Sequence, residues 1–260
     1  MTGPPTLPLV MGVLNVTPDS FSDGGRFLDP DAAVAHGLAM VGEGADVVDV
    51  GGESTRPGAE PVGEDEERRR VVPVVAALAP SVRVSIDTRH AAVAEAAIEA
   101  GATLVNDVSA SLHEVAAAGG VGWVAMHMRG QPATMQADPT YDDVVGEVRA
   151  FLVERAEAAV AAGVGEVWVD PGIGFGKTAD HNLELLRRLD ELVGSGYPVV
   201  VGTSRKSFLG RLTGGAAADD RVEASVATAL WSLERGARMV RVHDVAATRA
   251  AVRIAYEDVA

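Results

Sequence analysis

Eight short runs rich in Val, Ile and Leu recur along the chain, and nearly every one ends on a polar side chain. They are VMGVLN (10–15), DVVDV (46–50), VRVSID (82–87), TLVND (103–107), WVAMH (123–127), EVWVD (166–170), PVVVGTS (198–204) and MVRVH (239–243). Runs of this length and composition predict strands. Between them the apolar residues follow helical spacing: Val34, Leu38 and Val41; Val144, Val148 and Leu152; Leu183, Leu186 and Leu189. Those segments predict helices. Eight strand–helix alternations in 260 residues indicate an α/β protein, a parallel (β/α)8 or TIM barrel, in a single domain spanning 1–260. The alternative is a doubly wound open sheet. The strand ends favour the barrel: Asn15, Asp87, Asn106, His127, Asp170, Ser204 and His243 would all open onto one face. A turn cap accounts for any one of them, but seven on one face point to a site.

The formal net charge of −15 argues against nucleic acid or an anionic membrane as a partner, since both reward basic surfaces. The absence of cysteine excludes disulfides, thiolate catalysis and Cys-ligated metals. No basic-flanked leader segment stands out and no apolar run approaches the ~18 residues of a membrane span, so a cytoplasmic protein is expected. The charged run GEDEERRR reads as a solvated helix start, with Glu64, Asp65 and Glu66 each four residues before an arginine. Only about a dozen residues follow the fourth strand, which predicts a short or irregular helix there.

The stretch DPGIGFGKT (170–178) invites two nucleotide-binding motifs and satisfies neither. A Walker loop needs glycine where Pro171 stands, and a dinucleotide fingerprint needs glycine where Lys177 stands. What remains is a glycine-rich loop beside Asp170 that lets backbone approach a flat ligand, with Phe175 as an apolar wall. TSRKS and RVH bring Arg205, Lys206, Arg241 and His243 to the ends of the seventh and eighth strands, where barrels often hold phosphate. An Asp87/Asp170 glycosidase pair would not need this ring of cations, and three tryptophans offer little platform for sugars. None of the six histidines forms a close-set pair, which argues against a tightly held zinc. Oxygen donors at Asn15, Asp19 and Asp23 are compatible with a hard ion such as Mg²⁺.

MGVLNVTPDSFSDGG, DVGGESTRPGAE, VSIDT, VNDVS, MHMRG, DPGIGFGKT, GTSRKSFLG and RVHDV, in this order, resemble the dihydropteroate synthases of folate biosynthesis. The resemblance runs from the first strand to the last helix and implies condensation of 6-hydroxymethyl-7,8-dihydropterin pyrophosphate with p-aminobenzoate, with Mg²⁺ and in a homodimer. It implies a pterin pocket of Asp87, Asn106, Met126, Asp170, Phe175, Lys206 and Arg241. Pyrophosphate would fall to Asn15, Arg241 and His243, and the metal to Asn15 and Asp23. For p-aminobenzoate the matching residues are Phe21, Thr55, Arg56, Pro57, Phe175, Lys206 and Ser207, and sulfonamides should compete there. Asp87, Lys206 and Asn15 are the implied catalytic residues. NVTPDSFSDGG then reads as a mobile lid closing over both substrates.

Two features depart from the family pattern: SAS replaces the Ser-Gly-Gly of many relatives after the fourth strand, and the segment before WVAMH is short. A trimmed outer helix is expected. Two other functions remain open, a pterin-binding methyltransferase barrel and an inactive pterin-binding paralogue. The former gives no reason for the first loop or the SRK cations, and the latter should have lost some of Asn15, Arg56, Asp87, Lys206 or His243, which are all present.

Overall fold

A computed structural model describes residues 7–17, 30–54, 62–131 and 134–256. The eight strands are β1 (Leu9–Asn15), β2 (Val47–Gly51), β3 (Arg83–Asp87), β4 (Leu104–Asp107), β5 (Gly122–Met126), β6 (Val167–Asp170), β7 (Val200–Val201) and β8 (Met239–Val242). All pairings are parallel, in the order β6-β5-β4-β3-β2-β1-β8-β7. A bridge between Val169 and Val199, with the Val169 N–H donating to Pro198 at 3.0 Å, joins the two outermost strands and closes the ring. The barrel is therefore the observed architecture, and the open sheet is not.

The ten α-helices among the described residues are α1 (Pro30–Gly42), α2 (Glu64–Leu78), α3 (Ala91–Glu99), α4 (His113–Gly119), α5 (Val144–Ala161), α6 (Ala179–Arg187), α7 (Leu189–Val193), α8 (Ser207–Leu212), α9 (Val222–Glu234) and α10 (Val245–Tyr256). With seven residues, α4 is the trimmed helix that the short fourth segment predicts. Strand β7 is shorter than the run 198–204 suggests. Pro198 brings no N–H to a ladder, and the chain beyond Gly202 turns away toward Arg205, whose φ of 58° ends any extended path.

Two apolar layers follow from the two-residue period of the strands. Met11, Val47, Leu104, Val124, Trp168, Val200 and Met239 fill the barrel interior. The alternate residues, among them Val10, Val48, Ile86, Val105 and Val240, pack outward against the helices. At the N-terminal end, Arg83 of β3 makes a two-pronged pair with Glu166 (3.0 and 2.6 Å), which also accepts from the Trp168 indole.

The GEDEERRR run is only partly a solvated face. Glu66 pairs with both Arg69 and Arg70, but Arg70 also donates to the Gly52 carbonyl at 2.9 Å, and Glu67 is fully buried. Asp107 organises the SAS turn. Its two oxygens accept from the Ser109 N–H and hydroxyl, the Ser111 and Leu112 N–H groups and the Trp123 indole. The middle residue, Ala110, sits at φ 51°, a conformation that costs an L-residue about 1 kcal/mol and that glycine would adopt freely. Asp107→Ala would leave several of these donors without a partner, two of them buried. Urea unfolding should show a loss of at least about 2 kcal/mol.

Candidate active site

Strand register assembles the site. Asn15 pairs with Gly51, Gly51 with Asp87 and Asp87 with Asn106, so four strand ends form one row; farther round, Met126 pairs with Asp170. Counting in twos from the interior layer places Asp49, Asn106, Met126, Asp170 and Arg241 on the inner face at the C-terminal mouth. Gly51 sits between the two side chains: a Cβ there would be in ordinary contact with both Asp87 Oδ2 (3.6 Å) and Asn15 Oδ1 (3.8 Å).

Arg241 is the hub. Its Nε donates to Asp49 Oδ2 and one Nη to Asp87 Oδ2, both at 2.6 Å. Burial works against its charge, but Asp49, Asp87 and Asp170 outweigh it, so the guanidinium stays protonated. Asp87 moves the other way. Burial lifts its carboxyl to about 7, reinforced by Asp49, Glu67 and Asp107 and opposed by Arg241. Asp170 is also raised, by burial first, with Lys206 pulling it back; its Oδ1 accepts the Gly172 N–H at 2.7 Å. Lys206 falls to about 8, lowered by burial and by Arg241 while Asp170 and Asp87 support its charge. Its ammonium donates to the Ile173 carbonyl and lies 4.6 Å from the centroid of the Phe175 ring.

Asp87, Asn106, Met126, Asp170, Phe175, Lys206 and Arg241 therefore share one mouth, as do Asn15 and, past the end of β8, His243. Ser204 positions that histidine: its hydroxyl accepts the His243 N–H at 3.1 Å and lies 3.0 Å from Nδ1. Ser207 is exposed at the start of α8. Phe21, Asp23, Thr55, Arg56 and Pro57, together with most of the lid reading of 15–25, lie outside the described residues.

Two expectations change. Arg205 does not present a free cation to the mouth, because its guanidinium binds Asp244 at 3.1 and 2.6 Å and Asp219 at 2.7 Å. His127 faces outward, as the residue after inward Met126 must, and packs edge-on against Phe151. In the glycine-rich loop, two glycines let neighbouring backbone come close. A Cβ on Gly172 would stand 1.8 Å from the His127 carbonyl oxygen, and one on Gly176 would stand 2.1 Å from that of Arg129.

Spacing missed three groups. Asp49 is fully buried and holds Asn106 Nδ2 (2.9 Å) as well as Arg241; its place in VVDVG, two before Gly51, is the available signal. Lys177 is 2% exposed and clamps the loop, donating to the Gly172 (3.0 Å), Phe175 (3.1 Å) and His127 (3.3 Å) carbonyls and meeting His127 Nδ1 at 2.9 Å. Burial holds its pKa well below the lysine range. Glu53, Glu67 and His90 bring donor atoms within 4.8 Å of one another, a group that could hold a metal ion. Each is already paired, Glu53 with Arg89 and Glu67 with His90 at 2.6 Å.

With this geometry in place, the relatives decide the family. A family model described as "Pterin binding enzyme" matches residues 11–243. The chain belongs to the dihydropteroate synthase family of pterin-binding enzymes. It is 51% identical over 259 residues to the dihydropteroate synthase of Mycobacterium leprae, covering 94% of this chain and 91% of that one. Among solved structures it resembles Xanthomonas albilineans dihydropteroate synthase with 4-aminobenzoic acid (TM-score 0.90, 47% identity, 98% and 94% of the two chains). It equally resembles the Yersinia pestis dihydropteroate synthase with a sulfonamide drug complex (TM-score 0.90, 46% identity, 95% and 93%).

His127 carries a test of the loop clamp. Burial first, then Lys177 and Arg129, depress its pKa to about 3, so between pH 3 and the unfolded value near 6.5 the unfolded chain binds the extra proton. Its contribution to stability is present above pH 6.5 and lost as pH falls toward 3. Relative to His127→Gln, the parent should lose up to about 1.4 kcal/mol per pH unit across that window, measured by urea titrations at fixed pH. A constant difference would sink the neutral-imidazole assignment.

Proposed function

We propose that this chain condenses 6-hydroxymethyl-7,8-dihydropterin pyrophosphate with p-aminobenzoate, releasing pyrophosphate and 7,8-dihydropteroate. The observation that carries this is the shared mouth of Asp87, Asn106, Asp170, Lys206 and Arg241 in a chain with close synthase relatives. A 2-amino-4-oxo pterin edge offers N–H donors and one carbonyl acceptor, which Asp170, Asn106 and Lys206 answer in kind. Met126 and Phe175 cover the ring, and Arg241 stacks its guanidinium plane on it.

Ionisation of the C–O bond sends its electron pair to pyrophosphate and leaves a pterin-delocalised cation. Ionised Asp87 stabilises that positive charge from a fixed position, an electrostatic contribution that needs no reorganisation. Arg241, His243 and the Asn15 amide hold the leaving group. The neutral aniline nitrogen then forms the C–N bond and sheds a proton, and its own lone pair makes a dedicated general base unnecessary. Arg56 and Ser207 take the p-aminobenzoate carboxylate, with Phe21, Thr55 and Pro57 shaping its pocket. A sulfonamide fits the same place.

The donors suit Mg²⁺: the Asn15 amide oxygen lies across Gly51 from Asp87 on the strand-end row, and hard cations take oxygen ligands of this kind. Asn15 and Asp23 would hold it, and it would neutralise charge on the pyrophosphate when bound. We also propose a cytoplasmic homodimer. Among the described residues no helix is long and apolar enough to cross a membrane.

Purified protein should release pyrophosphate only when p-aminobenzoate, pterin pyrophosphate and Mg²⁺ are all present. No release at saturating substrates would refute the synthase assignment. Asp87→Asn should still bind pterin pyrophosphate while turnover falls about 100-fold or more. For the parent, kcat/KM for pterin pyrophosphate should rise with pH through about 7 as Asp87 ionises, since that ratio reports the free enzyme. An acid limb near pH 4 would contradict the raised carboxyl.

A further inference from the structure

Asp49 has no part in the reaction described above, yet it is one of the most enclosed charges in the molecule. It lies in β2, fully buried, in register with Val13 of β1 and Ser85 of β3. Its Oδ2 accepts from Arg241 Nε at 2.6 Å and from Asn106 Nδ2 at 2.9 Å. Its Oδ1 has no hydrogen-bond partner among the described residues, and neither has the buried Ser85 hydroxyl on the neighbouring strand. Stability alone explains such a group poorly, because desolvating a carboxylate costs several kcal/mol and apolar replacements of buried ion pairs are often neutral or stabilising.

Two geometric consequences give it a role. A primary amide has one donating and one accepting end, and with the Asn106 nitrogen bound to Asp49, the acceptor Oδ1 is the end left for a ligand. A guanidinium offers five N–H groups, and Asp49 takes only the Nε edge of Arg241. The Nη group now on Asp87 can therefore pass to a substrate phosphate while the cation stays anchored. Releasing Arg241 from Asp87 also leaves that carboxylate free to face the developing cation.

We propose that Asp49 is a positioning residue for the pterin pyrophosphate site, setting the Asn106 amide for an N–H donor of the pterin edge and holding Arg241 by one edge as it swings between Asp87 and pyrophosphate. This rests on the synthase reading. The group acts through Asn106 and Arg241, so its effect depends on both being present.

The test is a double-mutant cycle on the full chain with Asp49→Asn and Arg241→Gln. Two readouts are used: pterin pyrophosphate affinity without p-aminobenzoate, and kcat/KM for each substrate. Asp49→Asn should weaken pterin pyrophosphate binding and its kcat/KM about 10- to 100-fold, with less than about a threefold change in KM for p-aminobenzoate. In the Arg241→Gln background the same substitution should cost far less.

A merely structural residue would lower thermal stability and cost as much in the Arg241→Gln background as in the parent. Losses that multiply fully in that background would overturn the proposal. So would failure of both Asp49→Asn and Asp49→Ser to fold, which would assign Asp49 to stability. If the parent binds pterin pyrophosphate but releases none with p-aminobenzoate, the synthase reading fails and the affinity cycle still judges Asp49.

Discussion

A cation enclosed at the mouth of a barrel has to be held by carboxylates, and the 2.6 Å contacts of Arg241 to Asp49 and Asp87 are the constraint around which the site is organised. Burial drives three charged groups here toward neutrality: Asp87 and Asp170 rise and Lys206 falls. The attractions between opposite charges resist that drift. Arg241 is thus shared between two carboxylates, Asp49 and Asp87. The whole chain carries a formal net charge of −15, so cations gathered at this face stand out against an acidic background.

The mouth is precise because its neighbours are tied down. Strand register alone fixes the spacing of Asn15, Gly51, Asp87 and Asn106. The 170–178 loop has no ladder to hold it, and Lys177 replaces one by gathering three carbonyls beneath it. The Gly174 N–H donates to Asn182 Oδ1 at 2.7 Å, and Tyr141 donates to the Gly176 carbonyl at 2.9 Å. Phe175 and Asp170 are thereby presented from a loop with little freedom, as a site built for a flat ring requires. Lys177 is buried and spends its donors on the loop, whereas Lys206 is half-buried and lies in the field of Asp170 and Asp87.

How much of this was legible in the sequence follows from how local each signal is. Strands buried on both faces read as continuous apolar runs, so all eight were found, and β7 alone was overextended because Pro198 and Gly202 restrict pairing that hydrophobicity cannot register. The inner-face residues were found by motif, and the period of two would have excluded His127 once Met126 was placed inside. Arg205 was misjudged because its partners, Asp219 and Asp244, come from other loops. Asp49 and Lys177 escaped for the same reason: a charge inside an apolar run looks like noise until the third dimension supplies its partners. Of the implied site, Phe21, Asp23, Thr55, Arg56 and Pro57 lie outside the described residues, and their roles rest on family resemblance.

On either side of residues 55–61, which lie outside the described residues, one carboxylate ties the scaffold together. Glu53 takes Arg89 in a two-pronged pair (2.9 and 3.0 Å) and also accepts the N–H of Val62 at 3.1 Å. Arg89 follows Asp87 by two residues, so this contact is referenced to the end of β3. Next to it, buried Glu67 pairs with partly exposed His90, and Arg70 reaches the Gly52 carbonyl. Glu53, Val62 and Arg89 are thus tied to the end of the strand that carries Asp87.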